Sequence, residues 1–331
     1  MSRDEAIAGF LAQHGFVVSR LKPLAQDASY RHYWRLSDGP WPAVLMDAPP
    51  PEDITPFLHV AMHLAGLGLS VPEIRAVDTA SGFLLEEDLG DALYGEVLTA
   101  ENQDLLYDTA VDVLVAMHAA PPPAGLPNWD APTMAATACS TMLDWWWPAM
   151  FDAPAPEEAS RGLRQALDTM LAPLAHGPRG FVHRDFFAGN LIWLPKRSGV
   201  RRVGVLDFQS AAIGHPAYDL ASLIMDARRD LPSGLPERAL RRYLMARPEL
   251  DKGAFCAALM ICAAQRHLRV AGQWVRLARR DDKPHYLAHG PRTWALLQGT
   301  LKAPETAPLA QWLDHWVPPE KRCNPPLPAG K

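Results

Sequence analysis

Apolar residues recur three and four apart over residues 5–14, where Ile7, Phe10 and Leu11 share one side of a helix that Gly15 closes. The period then shortens. Residues 17–24, 33–36 and 43–46 read as strands, with Asp27, Ala28 and Ser29 as a tight turn between the first two. Helical spacing returns over 53–65 through Ile54, Phe57, Leu58, Ala61 and Leu64, and Gly66 and Gly68 end it. Two more strands follow at 71–78 and 82–91. The pattern predicts an α+β chain of two lobes, beginning with a small lobe built on a five-stranded antiparallel sheet.

Beyond residue 100 the period is helical almost throughout: 101–119, 163–174, 238–244, 255–277 and 294–301. In the first of these, Leu105, Thr109, Val113, Ala116 and Met117 lie on or near one face, and His118 reads as a packed or capping histidine. Proline clusters at 49–51, 121–127 and 318–328 mark connections and a tail, and 318–331 is expected to be unstructured. The expected organisation is a small lobe over 1–90, a large, mainly helical lobe over 91–317, both forming one unit, and a proline-rich tail over 318–331.

Composition narrows the function classes. Hydrophobic residues make 48% and charged residues 21% of 331 positions, as in a globular protein. A net charge of −5 without a dense basic stripe argues against nucleic acid as a partner. The longest apolar run, 255–264, is too short for a bilayer, and the first ten residues lack a signal peptide's apolar core. Cys139, Cys256, Cys262 and Cys323 have neither zinc nor disulfide-framework spacing, so they read as reduced thiols of a cytoplasmic protein. A monomer is expected.

Chemistry concentrates between residues 181 and 220. His183-Arg184-Asp185 stands five residues ahead of Asn190, and Asp207 ends an apolar run seventeen residues later. The spacing H-x-D-x-x-x-x-N followed by V-L-D-F is a phosphoryl-transfer constellation. Such a reaction needs a carboxylate beside the attacking hydroxyl and oxygen ligands for the metal that neutralises a triphosphate. Asp185 suits the base or hydroxyl orienter, and Asn190 and Asp207 suit one or two Mg²⁺ ions; the three are expected to converge. A hairpin with polar turn caps would explain Asp185 or Asn190 singly, not both together with Asp207. His183 and Asp219 read as support for the catalytic loop, Asp219 by accepting amide bonds at a helix start.

Nucleotide contacts are expected upstream. The turn at 27–29 lacks G-x-G-x-x-G, so its backbone amides and the Ser29 hydroxyl would meet the phosphates. Arg31 is a candidate phosphate cation, with an exposed strand charge as the rival reading. The backbone of Glu87 to Leu89, an extended run turned by Gly90, is the candidate for adenine. Met46 stands where V-A-I-K would put a lysine, so either Arg31 or Arg35 supplies the cation, or the nucleotide is held differently, or the protein binds it without catalysing. His59 and His63 share a helix face without the Glu of a zinc motif, so packing is the better reading. Trp145, Trp146 and Trp147 cannot all face one way at 100° per residue, so at least one of them lines a cleft or meets solvent; a sugar-stacking wall is one reading, and core packing is the better one. The apolar helix at 255–277 turns polar at Arg266, His267 and Arg269, either as a substrate-pocket wall or as a surface exit.

Asp185, Asn190, Asp207 and the hinge E-E-D-L-G-D resemble the aminoglycoside phosphotransferase and choline kinase superfamily over nearly the whole chain. More narrowly, D-A-S-Y-R-H-Y-W-R-L, V-L-M-D-A-P-P, V-H-R-D-F-F-A-G-N-L and Q-R-H-L-R-V-A-G-Q-W resemble bacterial anomeric amino-sugar kinases of cell-wall recycling. The resemblance implies a kinase-like fold, ATP as co-substrate, and N-acetylmuramate and N-acetylglucosamine as acceptors. It also implies that methionine at position 46 is the family's own residue. Arg266 and Arg269 then suit the lactyl carboxylate of N-acetylmuramate. Rival readings are another alcohol acceptor, with Asp226 and Asp230 as an acidic wall for a cation, or a nucleotide-binding pseudokinase.

Overall fold

The computed structural model describes residues 2–17, 21–24, 31–37 and 39–326. The expected turn at 27–29 and the candidate Ser29 lie outside them. The described chain forms two compact units, residues 1–100 with 189–210, and residues 101–188 with 211–331.

The first unit is built on the five-stranded antiparallel sheet that the strand-like runs predict. Its strands are β1 (Leu21–Pro23), β2 (His32–Leu36), β3 (Ala43–Asp47), β4 (Ile74–Asp78) and β5 (Phe83–Glu87), in the order β1-β2-β3-β5-β4. All five residues of β3 are buried, as a central strand covered on both faces requires. Helix α1 (Arg3–Gln13) starts with a capping box between Ser2 and Glu5 and lays Ile7, Phe10 and Leu11 on Leu45, Phe83 and Leu85. Helix α2 (Thr55–Gly66) buries Phe57, Val60, Ala61 and Leu64.

Residues 189–210 join this unit as a two-stranded ribbon, β8 (Leu191–Trp193) and β9 (Val203–Val205). The ribbon is anchored by the Val205 amide on the Ser70 carbonyl at 2.8 Å and the Trp193 amide on the Ala92 carbonyl at 2.7 Å.

The second unit is mainly helical. Its long helices are α4 (Gln103–Ala119), α7 (Glu157–Leu171), α9 (Leu235–Ala246) and α10 (Lys252–Arg280). They surround a small sheet of β6 (Asn128–Trp129), β10 (Ala212–Gly214) and β7 (Gly180–Val182). Helix α8 (Ala217–Ile224) is buried along its whole length. Among the described residues, no helix is long and apolar enough to cross a membrane.

Two local expectations change, at Leu105 and in the tail. Leu105 is 47% exposed, because α4 turns Leu106, Ala110 and Leu114 to the core instead. Ser140–Trp146 is a π-helix; Trp146 and Trp147 are buried and Trp145 is half-buried, so the three do not share one environment. The tail is structured as far as it is described: Pro319–Lys321 is a 3₁₀ turn, and the Trp146 Nε1–H donates to the Cys323 carbonyl at 2.9 Å.

Candidate active site

In the second unit, β7 pairs antiparallel with β10 and delivers His183, Arg184 and Asp185 to the loop that follows it. Asp219, fully buried near the start of α8, accepts the His183 amide at 2.6 Å and the Arg184 amide at 2.8 Å. Its Oδ2 also meets His118 Nε2 at 3.2 Å, and His118 Nδ1 meets the Tyr243 hydroxyl at 2.9 Å. One carboxylate thus holds two consecutive amides of a loop in which Arg184 has φ +76°, a conformation costly for a side chain with a Cβ. The Arg184 guanidinium is parked 3.9 Å over the Trp129 ring.

Asp185 is left half-buried, with its amide on His183 Nδ1 at 3.3 Å. Arg266 Nη1 lies 3.9 Å from its Oδ1, and Arg269 on the same helix donates to the Tyr218 hydroxyl at 3.4 Å. Burial pushes the Asp185 carboxyl up, and the fields of Arg269, Arg266, Arg184 and His183 more than offset it. The group therefore titrates below the ordinary carboxylate range. Arg266 and His267 are buried, so the polar half of this helix is not a surface exit. Arg266 Nε and Nη1 make no hydrogen bond, an expensive condition for a buried cation.

In the first unit, the register Leu191↔Val205 places Asn190 and Asp207 at one end of the ribbon. The Leu206 amide donates to the Asn190 carbonyl at 3.0 Å, and Asn190 Nδ2 lies 3.4 Å from Asp207 Oδ2. Asp207 has φ +58°, and the next residue, Phe208, is fully buried and stacked on Phe57 at 4.7 Å. The buried phenyl anchors a turn that presents the aspartate. Gln209 Nε2 donates to Asp207 Oδ1 at 2.6 Å. A carboxylate beside a carboxamide is a hard oxygen donor set, the kind Mg²⁺ takes.

Met46 is fully buried in β3, paired with Tyr33 and Leu84, and cannot reach a phosphate. Arg31 is 6% exposed and bonded through Nε to Glu52 at 3.1 Å, so it is no exposed strand charge. The Tyr33 phenol, raised above its ordinary range by burial and then by Glu86, also feels Arg31 and Asp207, so these groups share one neighbourhood. Arg35 is engaged by Asp88 at 2.6 Å and Asp91 at 2.7 Å.

Past β5, Gly90 turns the chain at φ +86°. The Glu87 amide is taken by the Glu73 carbonyl at 2.9 Å, and Glu87's side chain pairs with Arg197. Leu89 packs over Gly204, where an added Cβ would meet its Cδ1 at 2.9 Å. Sequence reasoning overlooked Glu52 and Gln209, neither of which left a signal in a motif. It paired Arg269 with Arg266 for a substrate carboxylate and did not anticipate the field of both on Asp185.

A family model described as the phosphotransferase enzyme family matches residues 20–256. The chain belongs to that family. It is 38% identical to an N-acetylmuramate/N-acetylglucosamine kinase of Caulobacter vibrioides, over 97% of this chain and 98% of the relative. A Pseudomonas aeruginosa protein of the same description is 35% identical over 89% of this chain and 88% of the relative. Among solved structures, a choline/ethanolamine kinase family protein from Mesorhizobium loti superposes with a TM-score of 0.64 at 15% identity, covering 95% of this chain and 100% of that one. An aminoglycoside phosphotransferase in a ternary complex with ADP and hygromycin B superposes at 0.60 with 20% identity, covering 88% and 98%. The two structures share the fold of this phosphotransferase, and the α+β, kinase-like expectation holds.

Proposed function

We propose that this chain is an ATP-dependent kinase that phosphorylates the anomeric hydroxyl of N-acetylmuramate and N-acetylglucosamine during cell-wall recycling, acting as a cytoplasmic monomer. The near-full-length similarity to curated kinases of that description supports the acceptor class. The observation that carries the assignment further is Arg266, a buried guanidinium beside Asp185 whose Nε and Nη1 make no hydrogen bond. Such a group suits an acceptor bearing a carboxylate, as N-acetylmuramate does, and penalises a polycation. An acidic wall for a cationic acceptor has less support. Asp226 is buried and takes the Arg228 amide at 2.8 Å, and Asp230 pairs with Arg292.

In this reading Asp185 orients the acceptor hydroxyl and takes its proton. Asn190 and Asp207 would hold Mg²⁺, which supplies charge neutralisation of the triphosphate when bound. Arg31 supplies the cation that Met46 does not, since Arg35 is already committed to two carboxylates. The Glu87–Leu89 backbone meets adenine, while Ser29, outside the described residues, is the remaining phosphate contact. His183 and Asp219 hold the catalytic loop.

The test is ADP release across a panel of amino sugars, with an aminoglycoside and choline as comparisons. Turnover with the two N-acetyl sugars alone is expected, and Arg266→Gln should raise KM for N-acetylmuramate far more than for N-acetylglucosamine. Turnover with choline or the aminoglycoside in place of the sugars would refute the assignment.

A further inference from the structure

Inside the second unit lies a cavity of about 510 Å³ that the phosphoryl-transfer reading does not use. Leu174, Pro178, Phe255, Ala258 and Ile261 make it mainly apolar, and His215 is its buried polar group at 5% exposure. His215 Nδ1 accepts the Ala217 amide at 3.2 Å. That bond fixes the tautomer and leaves Nε2 as an N–H donor. Burial, reinforced by His118, pushes the imidazole down to about 4, so it stays neutral. Nε2 faces Gly177 on the cavity wall, where an added Cβ would meet it at 2.6 Å, and no described residue accepts its hydrogen. At the rim stand three carboxylates, Glu249, Asp251 and Glu305, against the single guanidinium of Arg247, which is paired with Glu249. That balance disfavours an anion.

The cavity also touches the support of the catalytic loop. Phe255 stacks on Tyr243 at 5.1 Å, and the Tyr243 hydroxyl meets His118, which meets Asp219, the acceptor of the His183 and Arg184 amides. Gly177 and Pro178 lead directly into β7. A ligand that moves Phe255 or the 177–178 segment would act on the loop from both ends.

We propose that this cavity is a binding site for a small, uncharged, mainly apolar molecule carrying one hydrogen-bond acceptor for His215 Nε2, and that its occupancy alters turnover through the Phe255–Tyr243–His118–Asp219 chain. The site stands whichever alcohol the enzyme phosphorylates.

Nile red, an uncharged dye with a carbonyl acceptor whose emission rises in apolar surroundings, is the probe. Saturable one-to-one binding to the full chain is expected, lost in Ala257→Trp, which fills the cavity from a half-buried wall position. Ala254→Trp, at the exposed mouth, provides the same block should the first variant fail to melt cooperatively. His215→Phe should weaken binding about tenfold, the loss of one hydrogen bond. Saturating dye should change the rate of ADP release in the wild type and leave the tryptophan variants unaffected. Equal affinity for the wild type and both tryptophan variants would overturn the site. Full affinity in His215→Phe would overturn the donor, and bound dye without a rate change would overturn the coupling.

Discussion

Arg266 and Asp185 face each other at 3.9 Å, within ion-pair reach but without a hydrogen bond. With Arg269 and Arg184 adding to the same field, Asp185 is ionised across the whole physiological range despite its burial. Such a carboxylate is a weak base, suited to orienting a hydroxyl and taking its proton late. Asp185→Asn should lower kcat by about 10²- to 10⁴-fold with nucleotide affinity nearly unchanged in calorimetry. The acid limb of the wild-type kcat/KM profile should lie below the ordinary carboxylate range. In Arg266→Gln it should move to higher pH, because one stabilising charge is gone. A limb that stays put would remove Arg266 from the electrostatics of the base.

Asp219 has no solvent to fall back on, and it carries the His183 and Arg184 amides and His118 together. Asp219→Ala would orphan two buried amide donors and release a loop held with Arg184 at positive φ. The expected cost is about 3–5 kcal/mol in urea unfolding, the range for breaking a buried charged network. Asp219→Asn keeps one acceptor oxygen and should cost less. A loss in Asp219→Ala no larger than that of an exposed carboxylate would contradict the anchoring role.

Asp207 contributes the full negative charge of its pair with Asn190. Asp207→Ala should weaken ATP binding measured with Mg²⁺ present and leave the much weaker binding without Mg²⁺ little changed. Asn190→Ala, which removes a neutral ligand, should show the same pattern at smaller amplitude. Equal losses with and without the ion would mean that Asp207 acts on the nucleotide by some route other than the metal.

Glu86 is 5% exposed on β5, and burial pushes its carboxyl up to about 8, with Arg31 opposing. In the unfolded chain the same group loses its proton near about 4.3. Between those values the folded state binds the extra proton, so stability falls as pH rises through the window and levels off above it. Glu86→Gln stays neutral in both states. Its melting temperature should match the wild type near the unfolded pKa and exceed it increasingly up to about pH 8. Parallel melting curves at every pH would mean that Glu86 is charged in the folded protein.

Much of the candidate site is legible in a line of sequence because it is local. Asp185 and Asn190 follow one short strand, and Asn190 and Asp207 flank the same end of one ribbon whose register puts Leu191 opposite Val205. Short apolar runs between turn residues likewise mark the sheet strands, and Gly90 marks the turn after the last of them. Where packing overrides a simple period, the reading fails. The wide buried arc of α4 hides which face Leu105 takes.

The sequence alone determined which groups are on offer: a carboxylate in H-R-D, a carboxamide and a second carboxylate suited to a metal, an extended run turned by Gly90, and a methionine where V-A-I-K has a lysine. Tertiary structure decided the partners of those groups. It brought Asp219 under the loop from 35 and 36 residues away and gave Arg31 to Glu52. It set Arg266 beside Asp185 and grouped residues 189–210 with the first hundred. The reason is range. A motif records side chains fixed by a few consecutive dihedrals, whereas the largest fields that hold Asp185 ionised, those of Arg269 and Arg266, come from a helix the motif does not contain.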